Sequence, residues 1–236
     1  MLSSPLCEQR DVEEILPLIE RSVEQAGATN PTILDTLALA YWMSGKREEA
    51  IATQTKAIDL LPSGESSLRT ELEGRLFSFL QNAGDLPTAE QLSRNILARR
   101  RTTLPADDPA IGAVLGQLGS MLVFQSKFSE AEPLLRECLD IRQRTLPSGD
   151  WLIDDTMSVL GGSISGQGRF DEAEPPLLMG YDRMKDKPQA LKERVQQACK
   201  RIVELYESWD VAQPGKGSAE KAAEWRAKLE ELKAGP

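Results

Sequence analysis

The stretch "KFSEAEPLL" at 127–135 returns as "RFDEAEPPL" at 169–177, 42 residues later and with six of nine letters unchanged. A phrase repeated at a period of about 20–50 residues marks stacked copies of one supersecondary unit, so the other copies are sought before any active site. The central alanine serves as the ruler. Ala131 and Ala173 stand 42 apart, Ala89 in "GDLPTAEQLS" stands 42 before Ala131, and Ala50 in "GKREEAIATQ" a further 39 before that. Ala222 in "AEKAAEWRAKL" follows Ala173 by 49, with the Pro/Gly-rich "VAQPGKGS" at 211–218 as an inserted loop.

Each of these alanines opens an amphipathic segment, and a second such segment precedes it. Leu34, Leu37, Ala38 and Tyr41 recur at the spacing of one helix face, as do Leu115, Leu118, Gly119 and Leu122, and Met157, Leu160, Gly161 and Ile164. The unit is therefore a helix–turn–helix. Gly45, Gly84 and Gly168 fall at its turn, where a left-handed residue ends the first helix without a Cβ clash. Ser126 holds that place in the third copy, which makes its turn the least regular. Ser129 and Asp171, followed three residues later by Glu132 and Glu174, read as capping boxes, and the proline after each glutamate belongs at or just after the first helical turn. The small residues sit where helix axes must approach most closely, so enlarging Ala131 or Ala173 is expected to overpack the contact.

Composition agrees. Aromatics make up 5% of the 236 residues while Ala, Leu and Glu are abundant, which favours helix over sheet. The formal charge of −9 disfavours nucleic acid and anionic membrane surfaces as partners. The basic run at 99–101 reads as a complement to a helix C-terminus on a solvated surface. Cys7, Cys138 and Cys199 are odd in number and widely spaced, encoding neither a disulfide framework nor a zinc site, and Cys138 reads as a small buried packing residue. The opening residues lack the basic and apolar regions of a signal peptide, and no apolar run reaches the length of a membrane span, so a cytoplasmic location is expected. With no histidine, no phosphate-binding glycine loop and no kinase signature, neither a catalytic residue, a cofactor nor a metal is predicted. Carboxylate pairs such as Glu130/Glu132 and Asp154/Asp155 read as solvated faces or caps.

The segment "LALAYWMSGKREEAIATQTKAIDLLP" at 37–62 resembles a tetratricopeptide repeat (TPR): Leu37, Ala38, Tyr41, Gly45, Ala50, Ala57 and Pro62 meet the consensus in order, with Gln54 where an aromatic is usual. The 42-residue copies are similar to the repeats of kinesin light chains, which carry an acidic-x-Pro step between units. "ADDP" at 106–109 fits that step and "SGDW" at 148–151 lacks its proline. The last part of the chain looks like the TPR tails of bacterial serine/threonine protein kinases.

The resemblance implies an all-α, right-handed α-solenoid over 1–236: an orphan N-terminal helix at 11–27, then helix pairs at 31–64, 66–104, 108–146, 150–186 and 189–233. It further implies a non-catalytic interaction scaffold whose concave groove, lined by first helices, takes a protein or peptide segment. In that register the groove-facing residues include Asp35, Leu39, Trp42, Met43, Gly74, Ser78, Asn82, Gly116, Ser120, Phe124, Gly162 and Glu204, of which Leu39, Trp42, Met43, Ser78, Asn82, Ser120 and Phe124 are the partner-binding candidates. Exposed backbone over Gly74, Gly116 and Gly162 is expected to admit an extended peptide. The Lys/Asn set of a terminal-carboxylate clamp does not occur in this register. Two alternatives stay open. Trp42 and Met43 pack against the N-terminal helix or a further repeat, or the chain is the regulatory or substrate-recruiting region of a kinase, its partner an upstream domain of the same polypeptide. A small-molecule sensor using the hollow of the stack is a third reading, and Trp209 and Trp225 are expected to close the end of the stack, with ligand stacking as the alternative.

Overall fold

The computed structural model describes residues 5–25, 29–187 and 191–234, with the backbone alone for 5–13. Gly27 and Gln189, at the edges of the expected N-terminal helix and last helix pair, lie outside the described residues, as does the side chain of Cys7. The described residues form eleven α-helices and no strand, the all-α class that the helical spacing predicted. They fall into two compact units, 1–95 and 96–236.

The first unit contains α1 (Pro5–Gln25), α2 (Pro31–Met43), α3 (Arg47–Asp59), α4 (Ser67–Ala83) and the start of α5 (Leu86–Thr103). Asn30 starts α2 by accepting the Thr32 amide at 3.0 Å, with Pro31 in the first helical position where its missing N–H is no loss. Ser66 caps α4 at the Arg69 amide. Gly45 and Gly84 take φ of 78° and 79° at the two turns, the left-handed geometry the turn requires. Ala38, Ala50 and Phe79 form a buried cluster against which Tyr41, Trp42 and Ile51 pack. Gln54, in the place of an aromatic, is fully buried. Its amide donates to Asp35 at 2.8 Å and to the Leu72 carbonyl at 3.1 Å, joining α2, α3 and α4 through hydrogen bonds instead of ring area.

The second unit contains the remainder of α5 and α6 (Pro109–Phe124), α7 (Phe128–Thr145), α8 (Trp151–Ser165), α9 (Phe170–Met184), α10 (Lys192–Ala212) and α11 (Ser218–Ala234). Ala131 and Ala173 are fully buried. A Cβ built on Gly161 would lie 2.6 Å from the Leu177 side chain, and one on Gly180 would lie 2.6 Å from the Asp154 carbonyl oxygen. Helices α8 and α9 thus approach at a distance that only the smallest residue allows. Ser126 adopts φ of 60°, the only non-glycine at positive φ among the described residues.

Several readings of these turns are corrected. The N-caps of α7 and α9 are Lys127 and Arg169, without side-chain caps, so Ser129 and Asp171 sit inside the first turn and no capping box forms. The preceding turn closes on itself, the Lys127 amide reaching the Leu122 carbonyl at 2.8 Å, and delivers the chain to the helix two residues early. Glu132 is instead held by Arg169 at 2.7 Å, by Arg136 at 2.8 Å and by Gln167. Glu174 accepts from Lys221 at 2.9 Å and from the Tyr206 hydroxyl at 2.6 Å. The repeated glutamate therefore ties one helix pair to the next. The "SGDW" step keeps its function without proline, since Asp150 caps α8 at the Leu152 amide just as Asp108 caps α6 at the Ala110 amide.

The basic run is also more than a solvated end. Arg100 is buried and donates to the Ala110 carbonyl at 2.8 Å, and Arg101 pairs with Glu137. Arg142, 42 residues after Arg100, repeats the contact on the Leu152 carbonyl at 2.9 Å. Each arginine bridges one second helix to the first turn of the following first helix. Cys138 is buried, bonded to the Gly112 carbonyl, and burial pushes its thiol pKa up, which fits packing and not nucleophilic use.

Candidate functional site

In the first unit, α2 and α4 enclose an open pocket of about 440 Å³ lined by Leu39, Trp42, Glu71, Gly74, Arg75, Ser78, Phe79 and Asn82. Five of the sequence-predicted groove-facing residues, Leu39, Trp42, Gly74, Ser78 and Asn82, thus meet at one place, four of them partner-binding candidates. They meet because 39 and 42 share a face of α2 while 71, 74, 75, 78 and 82 follow one stripe of α4. Met43 is exposed at the end of α2 and does not line the pocket.

Trp42 stacks on Phe79 with ring centroids 4.5 Å apart and an interplanar angle of 9°, and the Arg47 guanidinium lies 5.2 Å from the Trp42 ring centroid. The indole is therefore a floor held from within by α4 and α3, and it offers an incoming group its edge more than a free face. Leu39, 37% exposed, supplies the accessible apolar wall. Gly74 has nothing within 4 Å of where a Cβ would stand, so its backbone is open to the pocket.

The opposite wall is polar. Arg75 lies 2.7 Å from Asp35 and 3.5 Å from Glu71. Arg47 donates to the Asn82 carbonyl at 3.0 Å. Ser78 and Asn82 donate back to the Gly74 and Ser78 carbonyls, which leaves their side-chain oxygens able to accept from a ligand. Phe79, Arg75 and Glu71 were not among the predicted residues. The 71/75 charge pair at i,i+4 and a phenylalanine directly after Ser78 were the available signals.

The remaining candidates, Ser120 and Phe124, lie on α6 in the second unit. Ser120 is half-buried and Phe124 is 77% exposed. The expectation of open backbone at Gly116 and Gly162 is corrected. A Cβ on Gly116 would meet Arg142 at 3.0 Å and Cys138 at 3.1 Å, and one on Gly162 would meet Arg201 at 3.1 Å. Long arginines from neighbouring helices cover both glycines. Trp225 packs edge-on against Tyr181 at 5.0 Å, and Trp209 stacks on Phe170 and Tyr206, so both tryptophans are used inside the second unit. Among the described residues no group of three or more His, Cys, Asp or Glu is placed to hold a metal, and no helix is long and apolar enough to cross a membrane.

Residues 71–144 match the tetratricopeptide repeat family model. No curated protein matches the chain. Among solved structures, BtubC (BKLC) from P. vanneervenii is similar over 99% of this chain and 92% of that chain, with 13% identity and a TM-score of 0.71. A putative kinesin light chain from Podosopora anserina with nearly identical TPR-like repeats is similar over 85% and 93%, with 18% identity and a TM-score of 0.64. A MamA double mutant from RS-1 matches over 86% and 94%, with 15% identity and a TM-score of 0.59. The segment at 71–144 is tetratricopeptide-repeat sequence, and the chain has the α-solenoid fold of TPR proteins, kinesin-light-chain-like repeats included.

Proposed function

We propose that the protein is a non-catalytic interaction scaffold that docks a protein or peptide segment in the α2/α4 pocket. The observation that carries this reading is the pocket itself, where an accessible Leu39 wall and the Trp42/Phe79 floor face Arg75, Ser78 and Asn82 across an open backbone at Gly74. An apolar side chain of the partner lies against Leu39 while its backbone bonds to the polar wall, the arrangement by which extended segments combine affinity with register. The protein contributes a surface fixed before binding, which limits the ordering entropy lost on association.

Substituting Gly74→Trp tests this. The site has room for a side chain, so the variant folds, and the indole fills the pocket. Partners purified with the wild-type chain and shown to bind it directly in a reconstituted assay are expected to lose binding to the Gly74→Trp variant by roughly tenfold or more. Unchanged affinity in a variant of unchanged helicity contradicts the assignment.

A further inference from the structure

The two ends of the α2/α4 pocket differ in charge. Asp35 of α2 meets Arg75 of α4 at 2.7 Å, and Trp42 stacks on Phe79, so the Glu71 end of α4 lies beside Asp35 and the Asn82 end beside Trp42. Glu71 and Arg75 are the charged residues among those lining the pocket. The Arg75 guanidinium is committed to Asp35, which also accepts the Gln54 amide at 2.8 Å. The Glu71 side chain is 64% exposed, and its contact with Arg75 is a long one of 3.5 Å. A carboxylate thus projects from the pocket rim with its charge incompletely matched. At the other end the Arg47 guanidinium covers Trp42 and donates to the Asn82 carbonyl. The surroundings share the sign of Glu71: residues 1–95 carry eight Lys and Arg against fifteen Asp and Glu, a net charge of −7 out of the −9 of the whole chain.

We infer that the partner segment presents an arginine or lysine to Glu71, about three residues of extended chain away from the apolar side chain that lies against Leu39. This names the chemistry of the partner and rests on the docking role proposed for the pocket. The spacing follows from the helix, since Glu71 and Ser78 stand about 10 Å apart along α4. The hydrogens of Ser78 and Asn82 are spent on helix carbonyls, so these side chains accept from the partner's backbone amides. Glu71 is then the group left to choose among the partner's side chains. A basic residue is attracted at the Glu71 end and repelled at the Arg47 end, which fixes its place on the pocket. An acidic residue meets the opposite field at the Glu71 end, and the negative charge of the unit slows its approach.

The test is a titration of the 15N-labelled full chain at constant ionic strength with capped peptides of the form Gly-Leu-Gly-Gly-X-Gly, each made in both sequence orders. X is arginine, its neutral isostere citrulline, or glutamate. The readout is the Trp42 indole cross-peak, assigned by its loss in Trp42→Phe. The arginine peptide is expected to shift it saturably and to bind about two- to fivefold more tightly than the citrulline peptide, with the glutamate peptide weakest. Glu71→Gln, at an exposed position, removes the arginine advantage and leaves the citrulline affinity unchanged. Glu48→Gln, on α3 and outside the pocket lining, lowers the overall charge equally and keeps the advantage. Equal binding of the arginine and citrulline peptides, a tighter glutamate peptide, or an arginine advantage that survives Glu71→Gln overturns the inference while the pocket stands as a docking site. A Trp42 cross-peak that no peptide moves contradicts the docking reading itself, and the inference with it.

Discussion

At Gly180 a Cβ would lie 2.6 Å from the Asp154 carbonyl oxygen and 2.9 Å from the Ser158 amide. Backbone cannot yield as a flexible side chain can, so Gly180→Ala is expected to destabilise the second unit by about 1–3 kcal/mol in urea unfolding. Gly74→Ala, with nothing nearby, is expected to stabilise α4 by about 0.5–1 kcal/mol. Equal effects of the two would contradict the close approach of α8 and α9. Glu132 provides a pH-dependent counterpart: its hydrogen bond from Arg169, opposed by burial and reinforced by Gln167 and Arg136, lowers its pKa from 4.5 to about 2. A carboxyl with a depressed folded pKa contributes stability that is present above its unfolded value and lost as pH falls through the folded one. Glu132→Gln is thus expected to lose about 1–2 kcal/mol at neutral pH after discounting for the exposed partner, with the difference from wild type fading between pH 4.5 and about 2. A difference that persists at pH 2 would place the effect in packing instead.

Turns and helix starts set the elements, and the sequence signals differ in how directly they act there. Ser126, read as the irregular turn, does adopt φ of 60°, so Ser126→Gly is expected to add about 0.5–1 kcal/mol of stability. A destabilised Ser126→Gly would mean that the serine side chain holds the turn. Asp150 caps α8 without the proline that opens α6, and Asp150→Ala is expected to remove about 1 kcal/mol by chemical denaturation. The helical class and the small-residue contacts were legible because they follow from spacing and size, which the letters state directly. The capping boxes were misread at Ser129 and Asp171 because local pattern competes with the tertiary pull of Arg169 and Lys221 on the same glutamates. The reach of Arg142 over Gly116 and of Arg201 over Gly162 was hidden, since periodicity gives a residue's face and not how far a long side chain extends. Arg100 and Arg142 were separable as a pair, standing at the same 42-residue offset as the repeated phrase.

Over the whole molecule, both units are built from the same kind of helix pair, and the pocket lies in the first of them. Sequence register named Leu39, Trp42, Ser78 and Asn82, which line one pocket, and did not name Phe79 and Arg75, which complete its floor and polar wall. It placed Trp42 on the groove face, and the ring faces there are held by Phe79 and Arg47. The most direct test of the docking account is amide hydrogen exchange of the full chain with and without a partner shown to bind it directly. Slowed exchange over 71–82 of α4 and around Leu39 is predicted, with those amides unchanged in the Gly74→Trp variant. Protection that leaves α2 and α4 untouched on a saturated complex would contradict it.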